Sequence, residues 1–67
     1  MKIIVNQKEM EIEEDISLQK FIDNFLTNKP KFFAVSVNGK IIHKNNWQTH
    51  ILKEGDKIDI VSVFQGG

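Results

Sequence analysis

The 67-residue chain contains no cysteine, so it forms neither a disulfide nor a thiolate metal site and cannot hold sulfur on a side-chain thiol. It also lacks net charge, because nine basic and nine acidic residues cancel. Its overall field therefore favours neither nucleic acid nor an anionic membrane. No apolar run approaches membrane-spanning length, and the polar Asn6 comes too early for a signal peptide. We expect a cytoplasmic protein that recognises its partners through local surface features.

The sequence also lacks the patterns of a catalytic centre. It has no glycine-rich phosphate loop, no nucleophile and base at a recognisable spacing, and no cluster of metal ligands. The two histidines, His43 and His50, lie seven residues apart on an irregular segment without matching acidic residues, a pattern that does not predict a metal site. We interpret both as surface residues. The chain is therefore expected to be a single domain over residues 1–67 that is not an enzyme.

Apolar and other residues alternate at the start of the sequence. Met1, Ile3 and Val5 share one face of a predicted strand, and Met10 and Ile12 resume the pattern after a turn, which predicts a β-hairpin.

A helix follows the hairpin. Ser17 is placed to cap it, and an apolar stripe at helical spacing runs from Leu18 to Leu26. The segment Lys29-Pro30-Lys31 is predicted to end the helix, because proline disfavours helical geometry in the residue before it.

The second half predicts three further strands. A strand that contains Val35 and Val37 precedes Asn38-Gly39, a pair typical of tight hairpin turns, and another strand follows the turn. Residues 43–56 are irregular, with Trp47 as a packing anchor, and the last strand spans 58–64. One helix must cover one face of a mixed sheet, with the last strand beside and parallel to the first. The prediction is an α+β fold of the β-grasp type with four to five strands.

The chain ends in Gly66-Gly67 directly behind this strand pattern. Glycine has no Cβ, so a diglycine end that carries an α-carboxylate can slide through a narrow channel into the active site of a partner. We expect a flexible tail from about residue 64.

These features resemble the ThiS-type sulfur carriers of thiamine biosynthesis, which are ubiquitin-like β-grasp proteins. The residues that carry the resemblance span the chain: Met1-Lys2-Ile3-Ile4-Val5-Asn6, Ser17-Leu18, Ala34-Val35-Ser36-Val37-Asn38-Gly39-Lys40-Ile41-Ile42, Trp47, Ile51-Leu52-Lys53-Glu54-Gly55-Asp56-Lys57-Ile58 and Gly66-Gly67. Two loop positions depart from the family pattern. The sequence has no proline near His43, and the first turn reads Asn6-Gln7 rather than Asn-Gly.

The resemblance implies a function for the C-terminal Gly67. Its carboxylate would be adenylated by a ThiF-like adenylyltransferase that binds ATP and magnesium, and a persulfide donor would convert the adenylate to a thiocarboxylate. An α-carboxylate with a reference pKa of about 3.3–3.7 is an anion at neutral pH and a poor electrophile, which explains the need for activation. A ThiG-like thiazole synthase would then receive the sulfur. The chain itself would bind no cofactor, metal, nucleic acid or membrane.

The sheet face opposite the helix is the expected partner-binding surface. If Val35, Val37, Ile58 and Ile60 point inward, the period of two places small or apolar residues outward beside the tail. The predicted partner-binding residues are Ala34, Ser36, Val61, Val63, Phe64 and Gln65.

Two alternatives remain open from the sequence. One is the small sulfur-carrying subunit for molybdopterin synthesis, which also ends in diglycine but is usually longer. The other is a ubiquitin-like interaction module that never carries sulfur.

Overall fold

The computed structural model describes residues 1–26 and 32–62 as one mixed sheet covered on one face by a single helix. The strands are β1 (Lys2–Val5), β2 (Lys8–Glu11), β3 (Phe33–Val37), β4 (Lys40–Ile41) and β5 (Lys57–Ser62), and the helix is α1 (Leu18–Phe25). A short 3-10 turn covers Lys44–Asn46.

The five strands lie in the order β2-β1-β5-β3-β4. The last strand runs parallel to the first, with Ile4 opposite Lys57 and Val5 opposite Ile58, whereas the other neighbouring strands are antiparallel. The predicted β-grasp arrangement is therefore confirmed. A parallel pair requires a long crossover connection, and the chain from β2 through α1, β3 and β4 provides it.

Both hairpins turn on two residues with positive φ. Asn38 and Gly39 have φ angles of 54° and 84°, and Asn6 and Gln7 have φ angles of 47° and 71°. Two successive residues with positive φ form the turn that matches the twist of antiparallel strands. The predicted tight turn at Asn38-Gly39 is confirmed. In the first hairpin Gln7 holds a conformation that a Cβ disfavours.

The helix begins where the sequence predicts. The Ser17 side chain accepts a hydrogen bond from the backbone N–H of Lys20 at 3.1 Å. Leu18, Phe21 and Ile22 are buried against the sheet. The helix ends at Phe25, which is 38% exposed, and Leu26 directly after it is partly buried against the core.

The end of the helix is not set by proline as the sequence suggested. Leu26 already has extended backbone geometry, although its N–H still donates to the Ile22 carbonyl at 2.9 Å. The segment Lys29-Pro30-Lys31 lies outside the described residues, several positions beyond the observed end.

The irregular segment between β4 and β5 is ordered by bonds to the start of α1. The N–H groups of Leu18 and Gln19, which have no partner within a helix, donate to the His50 and Trp47 carbonyls at 2.7 and 3.0 Å. The Trp47 indole is 5% exposed and donates to the Ile42 carbonyl at 2.9 Å. The prediction that Trp47 is a packing anchor is confirmed.

The core lies between the sheet and the helix. Its buried residues come from every layer of the fold, and they are Ile3, Val5, Ile16, Leu18, Phe21, Ile22, Val35, Val37, Trp47, Leu52 and Ile58. No helix among residues 1–26 and 32–62 has the length and hydrophobicity to cross a bilayer.

The described part of the last strand ends at Ser62. The sequence analysis predicts that this strand continues to Phe64 and that the tail begins at about residue 64, but residues 63–67 lie outside the described residues.

The turn before β5 is joined to the second hairpin by side-chain hydrogen bonds. The Asp56 carboxylate accepts from the Asn38 side-chain amide at 3.0 Å and from the Lys53 N–H at 2.8 Å. The Asn38 amide oxygen in turn accepts from the Lys57 N–H at 2.9 Å. This network fixes the start of β5 against the β3-β4 turn.

Replacing Asp56 with alanine is expected to lower the free energy of unfolding by about 1–3 kcal/mol, because two donors lose a charged acceptor. Urea unfolding followed by circular dichroism measures the change. Asp59→Ala, on β5 and outside this network, serves as control and should change stability by less than about 0.5 kcal/mol. Equal effects of the two substitutions would contradict the role of the network.

Replacing Gln7 with glycine is expected to raise the free energy of unfolding by about 0.5–1 kcal/mol, because it relieves positive φ at a residue with a Cβ. The reciprocal change, Gly39→Gln, should lower stability by a similar amount, since an added Cβ there meets no atom within 4 Å and only the backbone cost remains. Thermal unfolding measures both variants. Destabilisation by Gln7→Gly would refute the interpretation.

Candidate functional site

The face of the sheet turned away from α1 carries the described members of the predicted partner-binding set. Val35, Val37 and Ile58 are buried on the inner face, as predicted. Ala34 and Val61 are exposed on the outer face. The predicted division of the two faces is therefore confirmed for these residues.

Two residues of the predicted faces are neither fully buried nor fully exposed. Ile60 packs against the core but is only partly buried, and Ser36 is on the outer face but is partly covered.

The outward residues of β3, β4 and β5 are contiguous. Ala34 lies directly opposite Val61, and Ser36 lies between Asp59 on β5 and Ile41 on β4. Residues directly opposite each other in antiparallel strands project to the same face. Val61 is 60% exposed and Ile41 is 62% exposed. We call this surface the outer patch, and it consists of Ala34, Ser36, Ile41 and Val61.

Ile41 is the member of the outer patch that the sequence interpretation missed. The signal was present, because a two-residue turn at Asn38-Gly39 pairs Val37 with Lys40 and therefore Ser36 with Ile41. Since the outward position of Ser36 was predicted, that of Ile41 followed from it.

Charged residues adjoin the outer patch on one side. Asp59 lies opposite Ser36, and Lys57 lies opposite Ile4 on β1. Both side chains are exposed. A partner that binds here could therefore bury the aliphatic surface while its polar groups meet one charge of each sign.

A groove with a volume of about 550 Å³ opens at the β4 edge of the outer patch. Ala34 and Ile41 line it together with Phe32, which is 52% exposed. The apolar surface available to a partner thus continues from the sheet face around this edge.

The histidines lie outside the outer patch. His43 is exposed at the start of the 3-10 turn, as predicted, whereas His50 is partly buried beside α1. Within the described ranges, no group of three or more histidine, aspartate or glutamate side chains is placed to hold a metal ion.

The remaining predicted site residues lie outside the described part of the chain. They are Val63, Phe64, Gln65, Gly66 and Gly67. Their roles in partner binding and sulfur carriage stay predictions. Ser62, the last described residue of β5, directly follows Val61, so these positions continue the chain from the outer patch.

Comparisons with known proteins identify the family of the chain. A model of the ThiS family matches residues 2–67. The sulfur carrier protein ThiS of Escherichia coli (strain K12) is 25% identical over 67 residues, which are 100% of both chains.

Solved structures share the fold. The crystal structure of the thiamine biosynthesis protein (ThiS) from Geobacter metallireducens has a TM-score of 0.86 at 19% identity, with 100% of each chain covered. The solution structure of a thiamine biosynthesis protein from the same organism has a TM-score of 0.78 at 19% identity, with 100% of this chain and 88% of that one covered. Because the family match extends over all but the first residue, the chain belongs to the ThiS family, whose members are sulfur carriers and not enzymes.

Proposed function

We propose that this chain carries sulfur for thiazole formation in thiamine biosynthesis, with the Gly67 carboxylate as the carrying group. The observation that carries the proposal is the family match, which extends through residue 67 and therefore includes the diglycine. The end-to-end similarity to the Escherichia coli sulfur carrier protein ThiS supports the same function.

The chemistry of a carboxylate requires an activating partner. An oxygen of the Gly67 carboxylate attacks the α-phosphate of ATP in a ThiF-like adenylyltransferase, and pyrophosphate leaves. The resulting acyl-adenylate is a good electrophile, since AMP is a far better leaving group than an oxide. The terminal sulfur of a persulfide donor displaces AMP and forms an acyl disulfide with the donor. A second thiol of a partner protein then cleaves the sulfur–sulfur bond, which leaves a disulfide between that thiol and the donor and releases a thiocarboxylate that passes to a ThiG-like thiazole synthase. ATP and magnesium belong to the adenylating partner.

Two glycines suit a carboxylate that must enter the active site of another protein. Gly66 and Gly67 have no side chain beside the reacting carbonyl carbon, so a narrow channel can surround them. The five residues from Val63 to Gly67 have a maximum contour length of about 17 Å. That length is enough to separate the reacting carboxylate from the docked domain.

The outer patch is the surface that we assign to docking. Val61 and Ile41 are each more than half exposed, and the outward residues Ala34 and Ser36 of β3 lie between them. An exposed surface of such aliphatic and small side chains is typical of contact surfaces. Val61 also lies three positions before residue 64, from about which the sequence predicts the tail. Docking through this patch, extended by Val63, Phe64 and Gln65, would hold the domain beside the entrance that the tail must enter.

Loss of the C-terminal glycine is expected to abolish sulfur loading. When the chain is coexpressed with a ThiF-like adenylyltransferase and a persulfide donor, intact mass measurement should show replacement of one oxygen by sulfur. Deletion of Gly67 should remove that species, and Gly66→Val should reduce it at least tenfold, because a β-branched side chain clashes in a narrow channel. Lys8→Ala, in the first hairpin, is the control and should load normally.

Normal loading of the chain without Gly67 would overturn the proposed carrier chemistry. Transfer of the sulfur to a pterin precursor instead of to a thiazole synthase would favour the molybdopterin alternative. Absence of the sulfur-bearing species from the unmodified chain would favour an interaction module.

Replacing Val61 with aspartate is expected to weaken binding to the adenylyltransferase by roughly tenfold, because a charge replaces an aliphatic contact at the centre of the docking surface. Isothermal titration calorimetry measures the affinity. Ile51→Asp is the matched control, since Ile51 is 44% exposed but lies on the crossover segment beside Ser17. Equal weakening by both variants, or no weakening by Val61→Asp, would argue against the outer patch as the docking site.

A further inference from the structure

A second apolar groove lies at the opposite edge of the sheet from β4. It has a volume of about 510 Å³ and runs between β2 and the end of α1. Its apolar lining consists of Met10, Ile12, Ile16, Phe21 and Phe25. The Phe25 ring stacks on Phe21, with ring centroids 5.3 Å apart, and remains 38% exposed. We call this feature the β2 groove.

The strand beside the β2 groove has an open edge. The backbone N–H of Ile12 donates to the Met1 carbonyl at 2.8 Å, and the Met1 ammonium donates to the Ile12 carbonyl at 2.6 Å. Hydrogen-bonded and non-bonded pairs alternate along antiparallel strands, so the backbone N–H and C=O groups of Glu9 and Glu11 point away from β1. Among the described residues no strand pairs with that side of β2. Such an edge is a template for an added strand.

The two faces of an added strand would meet different environments. Residues on one face would lie beside Met10 and Ile12, over the apolar groove. Residues on the other face would lie beside Glu9 and Glu11. Both carboxylates are exposed, although Glu9 lies 4.0 Å from the Lys2 ammonium and Glu11 lies 3.3 Å from the Met1 ammonium. A segment that alternates apolar and basic residues fits both faces at once.

The local negative charge disfavours a second copy of this chain as the occupant of the β2 groove. Five of the nine acidic residues lie between positions 9 and 15, and no basic residue interrupts them. A second copy of this chain that paired β2 against β2 in antiparallel fashion would bring glutamates of both copies together. Like charges on neighbouring strands are destabilising, so self-pairing is disfavoured while a basic partner is attracted.

We propose that the β2 groove binds an extended segment of a partner protein in which basic and apolar residues alternate, added to the sheet as a further strand along β2. The sheet order separates β2 from β3 and β4, which carry most of the outer patch. The two surfaces can therefore be occupied together, and this interaction does not depend on the sulfur chemistry proposed above.

The test is an NMR titration of the full ¹⁵N-labelled chain with a capped peptide that alternates lysine and valine. Amide shifts are expected at Glu9, Met10, Glu11 and Phe25, and a peptide with glutamate in place of lysine should produce none. The combined substitution Glu9→Gln and Glu11→Gln should weaken peptide binding by roughly tenfold, since two opposite-charge pairs are lost.

The matched control removes the same charge elsewhere, through Asp23→Asn and Asp59→Asn, and should leave the affinity within about twofold of the unmodified chain. Glu11→Pro removes an N–H that faces the open edge, which edge strands tolerate, and should abolish binding while the amide spectrum remains folded. If this variant unfolds, the glutamine variants still decide the matter.

Several results would overturn the proposal. Shifts that map to the outer patch, equal binding of the glutamate peptide, or no shifts at millimolar peptide would each do so. Concentration-dependent self-association that the glutamine variants strengthen, without peptide binding by the unmodified chain, would make a second copy the occupant and would also reject it.

Discussion

The parallel pairing of β1 with β5 is the contact on which the rest of the fold depends. The N–H groups of Ile4 and Asn6 donate to the Asp56 and Ile58 carbonyls, each at 2.9 Å, and Ile58 is fully buried. The Asn6 side chain extends the junction, since its amide oxygen accepts from the Ile60 N–H at 2.8 Å. The last strand is thereby held at the centre of the sheet, between the two hairpins. A strand in that position brings Val61 beside Ala34 of β3.

The elements with local signals could be predicted from the sequence. Ser17 caps the helix where its position before an apolar stripe indicated, and Asn38-Gly39 forms the turn that its residue types favour. The outward placement of Ala34 and Val61 followed from the period of two. Length and composition alone would not have given the order of the strands, which came from packing rules and from the resemblance to the ThiS family.

The parts that could not be predicted depend on contacts between distant residues. Gln7 adopts positive φ although its side chain gives no local reason to do so, because the hairpin geometry imposes it. The segment 43–56 appeared irregular, yet the carbonyls of Trp47 and His50 complete the hydrogen bonding of the helix start. The β2 groove was invisible in the sequence for the same reason, since it forms only when the end of α1 lies beside β2.

The two proposed surfaces differ in chemical character. The outer patch is aliphatic and adjoins the strand that leads to the diglycine, whereas the edge of β2 combines open backbone groups with acidic side chains. A carrier that several partner proteins must handle in turn benefits from such a division, because one partner can hold it at one edge while another reaches the tail. The domain then needs no catalytic group of its own.

We propose that the reactive group is the terminal carboxylate and that the folded domain only presents it. Tandem mass spectrometry of the C-terminal peptide, after loading by the adenylyltransferase and the persulfide donor, shows which residue carries the sulfur. The predicted result is a single sulfur in place of oxygen on the fragment that contains Gly67. Sulfur located on any other residue, or a Gly67 fragment with unchanged mass in a chain that still supports thiazole formation, would contradict it.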